Sequence, residues 1–154
     1  MFHRFVYESE FYPNLSRVPM YVRMKLDLTG VTISLDDWLA FSLEERTVLC
    51  HLPVDTEEEQ RVFLSYLDFL SRRYCGGPVD LAQAVDSSLW NDLDQVPPAV
   101  IDKSALKGRG VTREEWTHWQ FHERYALYKT AIAKRDTEAF FALLNELRGI
   151  NPSD

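Results

Sequence analysis

An all-α fold built from two related helical units is what this chain predicts, and three observations carry that expectation. Capping signals recur along the sequence, apolar residues fall at helical spacing, and one pattern is used twice. Val18-Pro19 recurs as Val96-Pro97, Val22 as Val100, Lys25 as Lys103, Leu28 as Leu106 and Gly30 as Gly108, always at an offset of 78 positions. The register continues ungapped through Trp38 and Trp116, Glu45-Arg46 and Glu123-Arg124, and Leu49 and Leu127. About ten identities over roughly thirty positions, in order and at constant offset, point to one unit used twice. The units are expected over 18–75 and 96–149, within a single domain spanning 1–154.

Each element has a local reason. Residues 1–17 contain Phe2, Phe5, Tyr7, Phe11 and Tyr12, too aromatic for a loose tail, and predict an extended arm across the helices. Pro19 and Pro97 suit the first turn of a helix, where a missing N–H costs little. Met20, Met24 and Leu28 then form an apolar stripe at i, i+4 and i+8. Gly30 and Gly108 are placed to end these helices in the left-handed conformation. Ser34-Leu-Asp-Asp37 and Thr112-Arg-Glu-Glu115 read as capping boxes directly ahead of Trp38 and Trp116. Ser42-Leu-Glu-Glu45 opens a helix running into Pro53. Thr56-Glu-Glu-Glu59 opens another, with a stripe of Val62, Phe63, Tyr66, Leu67, Leu70 and Tyr74 that stops at Gly76-Gly77-Pro78. Residues 76–95 carry four aspartates and read as an acidic connector with one short helix near Leu81–Val85. In the second unit Phe121, Tyr125, Tyr128 and Ile132 recur at helical spacing. The last helix starts near Thr137, presents Phe140, Phe141, Leu144 and Leu147, and ends at Gly149. Strand content should be small.

Composition narrows the function. Of the 154 residues 45% are hydrophobic and 13% aromatic, ample for a packed interior. A net charge of −7 with pI near 5.1 is wrong for neutralising nucleic-acid phosphates or for docking on an anionic membrane by charge alone. No run approaches the roughly 18 apolar residues that span a bilayer. The N-terminal residues lack the basic-then-apolar pattern of a signal peptide. Two cysteines, Cys50 and Cys75, make no disulfide scaffold. The expectation is a reduced, cytoplasmic protein that meets a specific partner.

The stretch Val18-Pro-Met-Tyr-Val-Arg-Met-Lys-Leu-Asp27 resembles the signature segment of the nitrate-reductase-associated protein family. Gly30, Leu35, Trp38 and Phe41-Ser-Leu-Glu-Glu-Arg46 extend the likeness. Val96-Pro97, Trp116, Arg124-Tyr-Ala-Leu127 and Lys129 resemble the family's C-terminal portion more loosely. The resemblance implies an accessory role toward assimilatory nitrate reductase, a cytoplasmic enzyme whose catalytic subunit carries molybdenum and an iron–sulfur cluster. Whether as assembly factor or bound subunit is not fixed by it. It transfers no catalytic residues, and it implies no cofactor held by this chain.

Independent chemistry finds thin support. Two cysteines cannot supply four-cysteine cluster ligation, and Gly108-Arg-Gly110 lacks the rest of a phosphate cradle. His118 and His122, at i, i+4, are the metal alternative, either in a metal-binding protein or in a metal-dependent enzyme. Their counterparts Ala40 and Glu44 flank Ser42, however, so a matching break near Gln120 would put the two imidazoles on different helices. Cys50-His51 would suggest an activated thiolate, but adjacent helical side chains diverge by about 100°. A ligand-binding module in nitrogen regulation is the remaining alternative.

The polar signature residues are therefore the partner-binding candidates. Arg23 and Asp27 form either a local i, i+4 ion pair or, with Lys25, part of a contact with acidic groups on the reductase. Arg46 and Arg124 carry the same choice, with bridging of helices inside each unit as the structural reading. Glu45 closes its capping box, and Trp38 and Trp116 read as core anchors. Met20 and Met24 offer either core packing or a soft contact surface.

Overall fold

Hydroxyl side chains start helices where the sequence places them. The computed structural model describes residues 2–135 and 137–150. In it Ser34, Ser42, Thr56 and Thr112 each accept the backbone N–H three residues on, and the carboxylate at that third position accepts the cap residue's own N–H. These reciprocal bonds satisfy donors that a helix N-terminus would otherwise leave orphaned. They open α2 (Leu35–Ala40), α3 (Leu43–His51), α4 (Glu57–Tyr74) and α7 (Arg113–His118). Among the described residues the fold is predominantly helical, with a single pair of two-residue strands. The chain divides into two compact units: residues 2–4 with Glu8–Asp86, and Phe5–Tyr7 with the described residues from Ser87 onward.

In the first unit α1 (Met20–Thr29) begins one position later than the sequence suggests, with Pro19 as its N-cap. Proline has no side-chain oxygen to offer, and the cap comes from far off in sequence instead. Both carboxylate oxygens of buried Glu8 accept the Met20 N–H, at 3.2 and 3.0 Å. α1 ends as expected on Gly30, at φ 74°, whose N–H bonds to the Leu26 carbonyl. A Cβ there would meet the Ala82 oxygen at 2.7 Å. That close approach carries Val31–Thr32 (β1) into an antiparallel pair with Asp80–Leu81 (β2). The N–H groups of Ala82 and Val85 go to the Gly30 and Asp27 carbonyls. The helix expected over Leu81–Val85 is therefore absent, because these donors serve the C-terminus of α1. The core is formed by Val22, Leu26, Trp38, Phe41, Leu49, Phe63, Leu67 and Leu70. Val62 and Tyr74, placed with that stripe by the sequence, are exposed.

The second unit opens with the short helix α5 (Ser88–Asn91), later in the chain than anticipated. α6 (Pro98–Ser104) has Pro97 as N-cap and a further proline, Pro98, inside its first turn. A 3-10 turn, Ala105–Lys107, follows it. Gly108 then stands at φ 142°, ψ −140°, away from the left-handed stop the sequence predicts, because the 3-10 turn has already ended the helix. α8 (Phe121–Ile132) and α9 (Thr137–Leu147) pack together over Trp90, Trp116, Tyr125, Leu127, Phe140 and Leu143. The expected extended arm is instead a 3-10 turn at Val6–Glu8 followed by turns through Leu15. Phe5 and Leu15 are its buried anchors.

Candidate functional site

Lys25 lies on the inner face of α1 and is fully buried. Its ammonium donates to the carbonyls of Leu49 (3.1 Å), Cys50 (2.7 Å) and Leu52 (2.6 Å), the last acceptors at the C-terminus of α3. The Tyr21 ring lies 4.7 Å away. Burial lowers its pKa to about 8, with Cys50 and Asp55 pulling the other way, so at neutral pH the ammonium form prevails. A cation here satisfies orphan carbonyls and meets the negative end of the helix dipole. Lys103 does the same for α8, donating to Thr130 (3.0 Å), Ala131 (3.5 Å) and Ala133 (3.1 Å), but it is only half-buried.

The arginines of the pattern also turn inward. Arg46 donates from Nε to the Phe41 carbonyl at 3.1 Å and from Nη1 to those of Asn14 and Leu15, at 2.8 and 3.1 Å. The Leu15 carbonyl also accepts the Trp38 indole N–H at 2.8 Å. Leu15 holds a left-handed φ of 48°, unusual for a leucine, and these two donors stabilise the carbonyl direction that it gives. Arg124 is buried and donates to the Trp90 and Trp119 carbonyls and to Asn91 Oδ1. Burial lowers its pKa, with Glu123 opposing. Trp116 donates its indole N–H to Asp92 at 3.0 Å. Trp38 and Trp116 are wholly enclosed.

Of the candidates for partner contact, Met20, Lys25 and Arg124 are thus inside, and Arg46 is half-buried. Arg23 is exposed and its Nε donates to the Val18 carbonyl at 3.3 Å, while Asp27 is half-buried. Glu45 closes its capping box and accepts the Tyr74 hydroxyl at 3.3 Å. Among the described residues, concave surface is found along α4. One open hollow of about 520 Å³ is lined by Glu58, Arg61, Val62, Ser65 and Tyr66. A second of about 250 Å³ is lined by Leu52, Pro53, Glu58, Glu59 and Val62. The signal for this face was present, since Val62, Tyr66 and Phe69 make a second helical stripe rotated from Phe63, Leu67 and Leu70. Tyr66 still packs partly against the core, whereas Val62, which apolar spacing groups with the core stripe, is exposed.

The groups considered for independent chemistry are dispersed. His118 ends α7 and is exposed; His122 lies on α8, its ring centroid 5.8 Å from that of Phe5. Among the described residues no three His, Cys, Asp or Glu side chains gather so as to hold a metal ion. Cys50 is a free, fully buried thiol. Burial pushes it up to about 12, with Lys25 and Arg4 opposing and Glu8 adding to the rise. His51 is exposed, with its Nδ1 2.9 Å from the Thr47 carbonyl. No helix among the described residues is long and apolar enough to cross a membrane.

No curated protein and no solved structure matches this chain. A family model does, over residues 4–147, and this span takes in every helix and every polar clamp described above. The chain belongs to the conserved nitrate reductase-associated protein family.

Proposed function

We propose that this chain is a non-catalytic accessory protein of the cytoplasm that binds assimilatory nitrate reductase and supports its maturation or activity. The family match across residues 4–147 carries the reading. The inward clamps fit it: Lys25, Arg46 and Arg124 stabilise helix ends and turns, leaving recognition to outward groups such as Arg23. The two units are read as copies of one helical module over 18–75 and 96–149. Support comes from paired features at the same sequence offset: the lysine clamps, the arginine clamps, the enclosed tryptophans and the capping boxes ahead of them. Binding acts on the reductase only by preferring one of its conformational states, and it shifts the population by that affinity difference. A cofactor-insertion factor prefers the open apo-enzyme, whereas a subunit stays on the finished one.

The test is recovery of the tagged protein from nitrate-grown cells after brief cross-linking, with mass spectrometry of its companions. The molybdenum catalytic subunit should be recovered, and an Arg23→Glu variant then probes the α1 contribution. Its absence, with both proteins abundant, refutes the reading.

A further inference from the structure

Helix α4 buries one flank and offers another. Phe63, Leu67 and Leu70 fill the core, while Glu58, Val62, Ser65, Phe69 and Arg72 all stand exposed, at alternating steps of four and three residues. That spacing holds a stripe in line along the helix and is the seam of pairwise helix packing. Val62 and Phe69 are its apolar members, 52% and 54% exposed. Side chains of a facing helix seat among four residues of such a seam, at i, i+3, i+4 and i+7. Glu58, Arg61, Val62 and Ser65 stand at those positions and, with Tyr66, line the larger hollow. The smaller hollow lies next to it, where Glu58, Glu59 and Val62 meet Leu52 and Pro53.

A second α4 laid antiparallel fits both hollows at once. With the two-fold axis level with Phe63 and Leu64, Ser65 of the copy seats in the larger hollow beside Val62, a small residue where the helices come closest. The same register carries Phe69 of the copy to the level of Glu58, over the smaller hollow, whose Leu52, Pro53 and Val62 are apolar. Symmetry makes each of these contacts twice. Charge agrees with shape. Arg61 is exposed and falls opposite Asp68 of the copy, whose carboxylate accepts from its own Arg72 at 2.7 Å yet stays 34% exposed. The exposed Glu57 and Glu58 of the first turn lie within a turn of the exposed Arg72 and Arg73 at the copy's other end. A parallel pair would instead set Glu58 against Glu58 and Arg72 against Arg72.

We propose that α4 is a self-association surface, pairing two copies of this chain antiparallel in this register. The proposal goes beyond the accessory reading and does not depend on it. A seam of one helix pair stands at the low end of interface size, so the pair is reversible, with Kd on the order of 10–100 μM. The experiment is sedimentation equilibrium of the purified full chain from about 5 to 500 μM, a range that brackets this Kd. Val62→Glu and Phe69→Glu alter exposed side chains and should each weaken association by about 10-fold or more. Leu106→Glu, exposed in the second unit, should leave it unchanged. Register is read by oxidative cross-linking in a Cys75→Ser background. Mixed in equal amounts, Val62→Cys and Ser65→Cys copies should join to each other in more than the half of linked pairs that random pairing gives. A parallel pair would join like to like. A wild-type chain that stays monomeric throughout overturns the proposal, as does association that both glutamate variants leave intact, or cross-linking of like to like. If the wild type is monomeric and Phe69→Glu instead loses the reductase in the recovery experiment above, the face belongs to that partner: the proposal falls and the accessory reading stands.

Discussion

Replacing Lys25 with methionine keeps the unbranched stem and deletes the ammonium. The Leu49 and Cys50 carbonyls then lose their donor inside the protein, whereas the partly buried Leu52 carbonyl can turn to water. A buried carbonyl left unpartnered costs about 1–3 kcal/mol, so the two together cost roughly 2–6 kcal/mol. Relief from burying a charge offsets part of this. The net expectation is a loss of about 3 kcal/mol, which at this chain length lowers Tm by roughly 6–12 °C. Lys103→Met is the internal comparison. That side chain is half-buried and its acceptors lie nearer solvent, so the loss should stay near or below about 1 kcal/mol. Circular dichroism melts and urea titrations of both variants decide the matter. Equal losses in the two, or a Lys25→Met variant within about 1 kcal/mol of wild type, would refute the assignment of Lys25 as the buried clamp of α3.

Three further expectations follow from single residues. Gly30→Ala combines a left-handed φ with a Cβ set 2.7 Å from the Ala82 oxygen, and should cost roughly 2–4 kcal/mol. Gly76→Ala, at φ 83° with nothing within 4 Å, should cost only about 1 kcal/mol; equal urea midpoints for the two would contradict the steric account. Burial pushes the Glu115 carboxyl up, but Arg148, the Thr112 N–H and Arg109 outweigh it and bring the pKa from 4.5 down to about 2. The folded state thus holds the proton less tightly than the unfolded one, and Glu115 contributes stability that is present above the unfolded value and lost as pH falls from 4.5 toward 2. The stability gap between wild type and Glu115→Gln, followed by urea titration, should narrow across that window; a constant gap argues against the network. Native protein at pH 8 should expose no more than Cys75 to a thiol reagent, with Cys50 reacting only in denaturant, and prompt reaction of both thiols would contradict its burial.

Local chemistry was the readable part of this fold. The four capping boxes, the glycine stop at Gly30 and the extents of α4, α8 and α9 each depend on residues within a few positions of one another. Apart from the stop at Gly108, displaced by the 3-10 turn just before it, what failed depends on distant partners. Glu8 caps α1 from twelve positions away, and no local pattern announces it. The residues around Leu81 and Val85 have helical composition, yet their N–H groups are drawn to the carbonyls at the end of α1. Lys25 looks like a surface cation until the end of α3 is placed beside it. On α4, apolar spacing identified a helix correctly but could not decide between two apolar flanks. Which one faces the core is settled by the neighbouring helices, and Val62, grouped with the core stripe by spacing alone, lies outside it.

The two lysine clamps explain their own inequality. α3 has nine residues and α8 has twelve, so the second helix ends one turn further from its start. Neither ends on glycine: the caps are Leu52 and Ala133, both extended, and the final carbonyls need an outside donor. Lys25 and Lys103 sit at matching positions after Pro19 and Pro97, yet their acceptors are 24–27 and 27–30 residues ahead. We attribute the difference to helix length, since α8 places its final carbonyls three positions further along than α3 does. Lys103 therefore meets its carbonyls near the surface, one of them at 3.5 Å. A deletion of one turn from α8 should then draw Lys103 inward and raise the cost of Lys103→Met toward that of Lys25→Met. An unchanged cost would mean that burial of the clamp is set by the surrounding side chains and not by helix length.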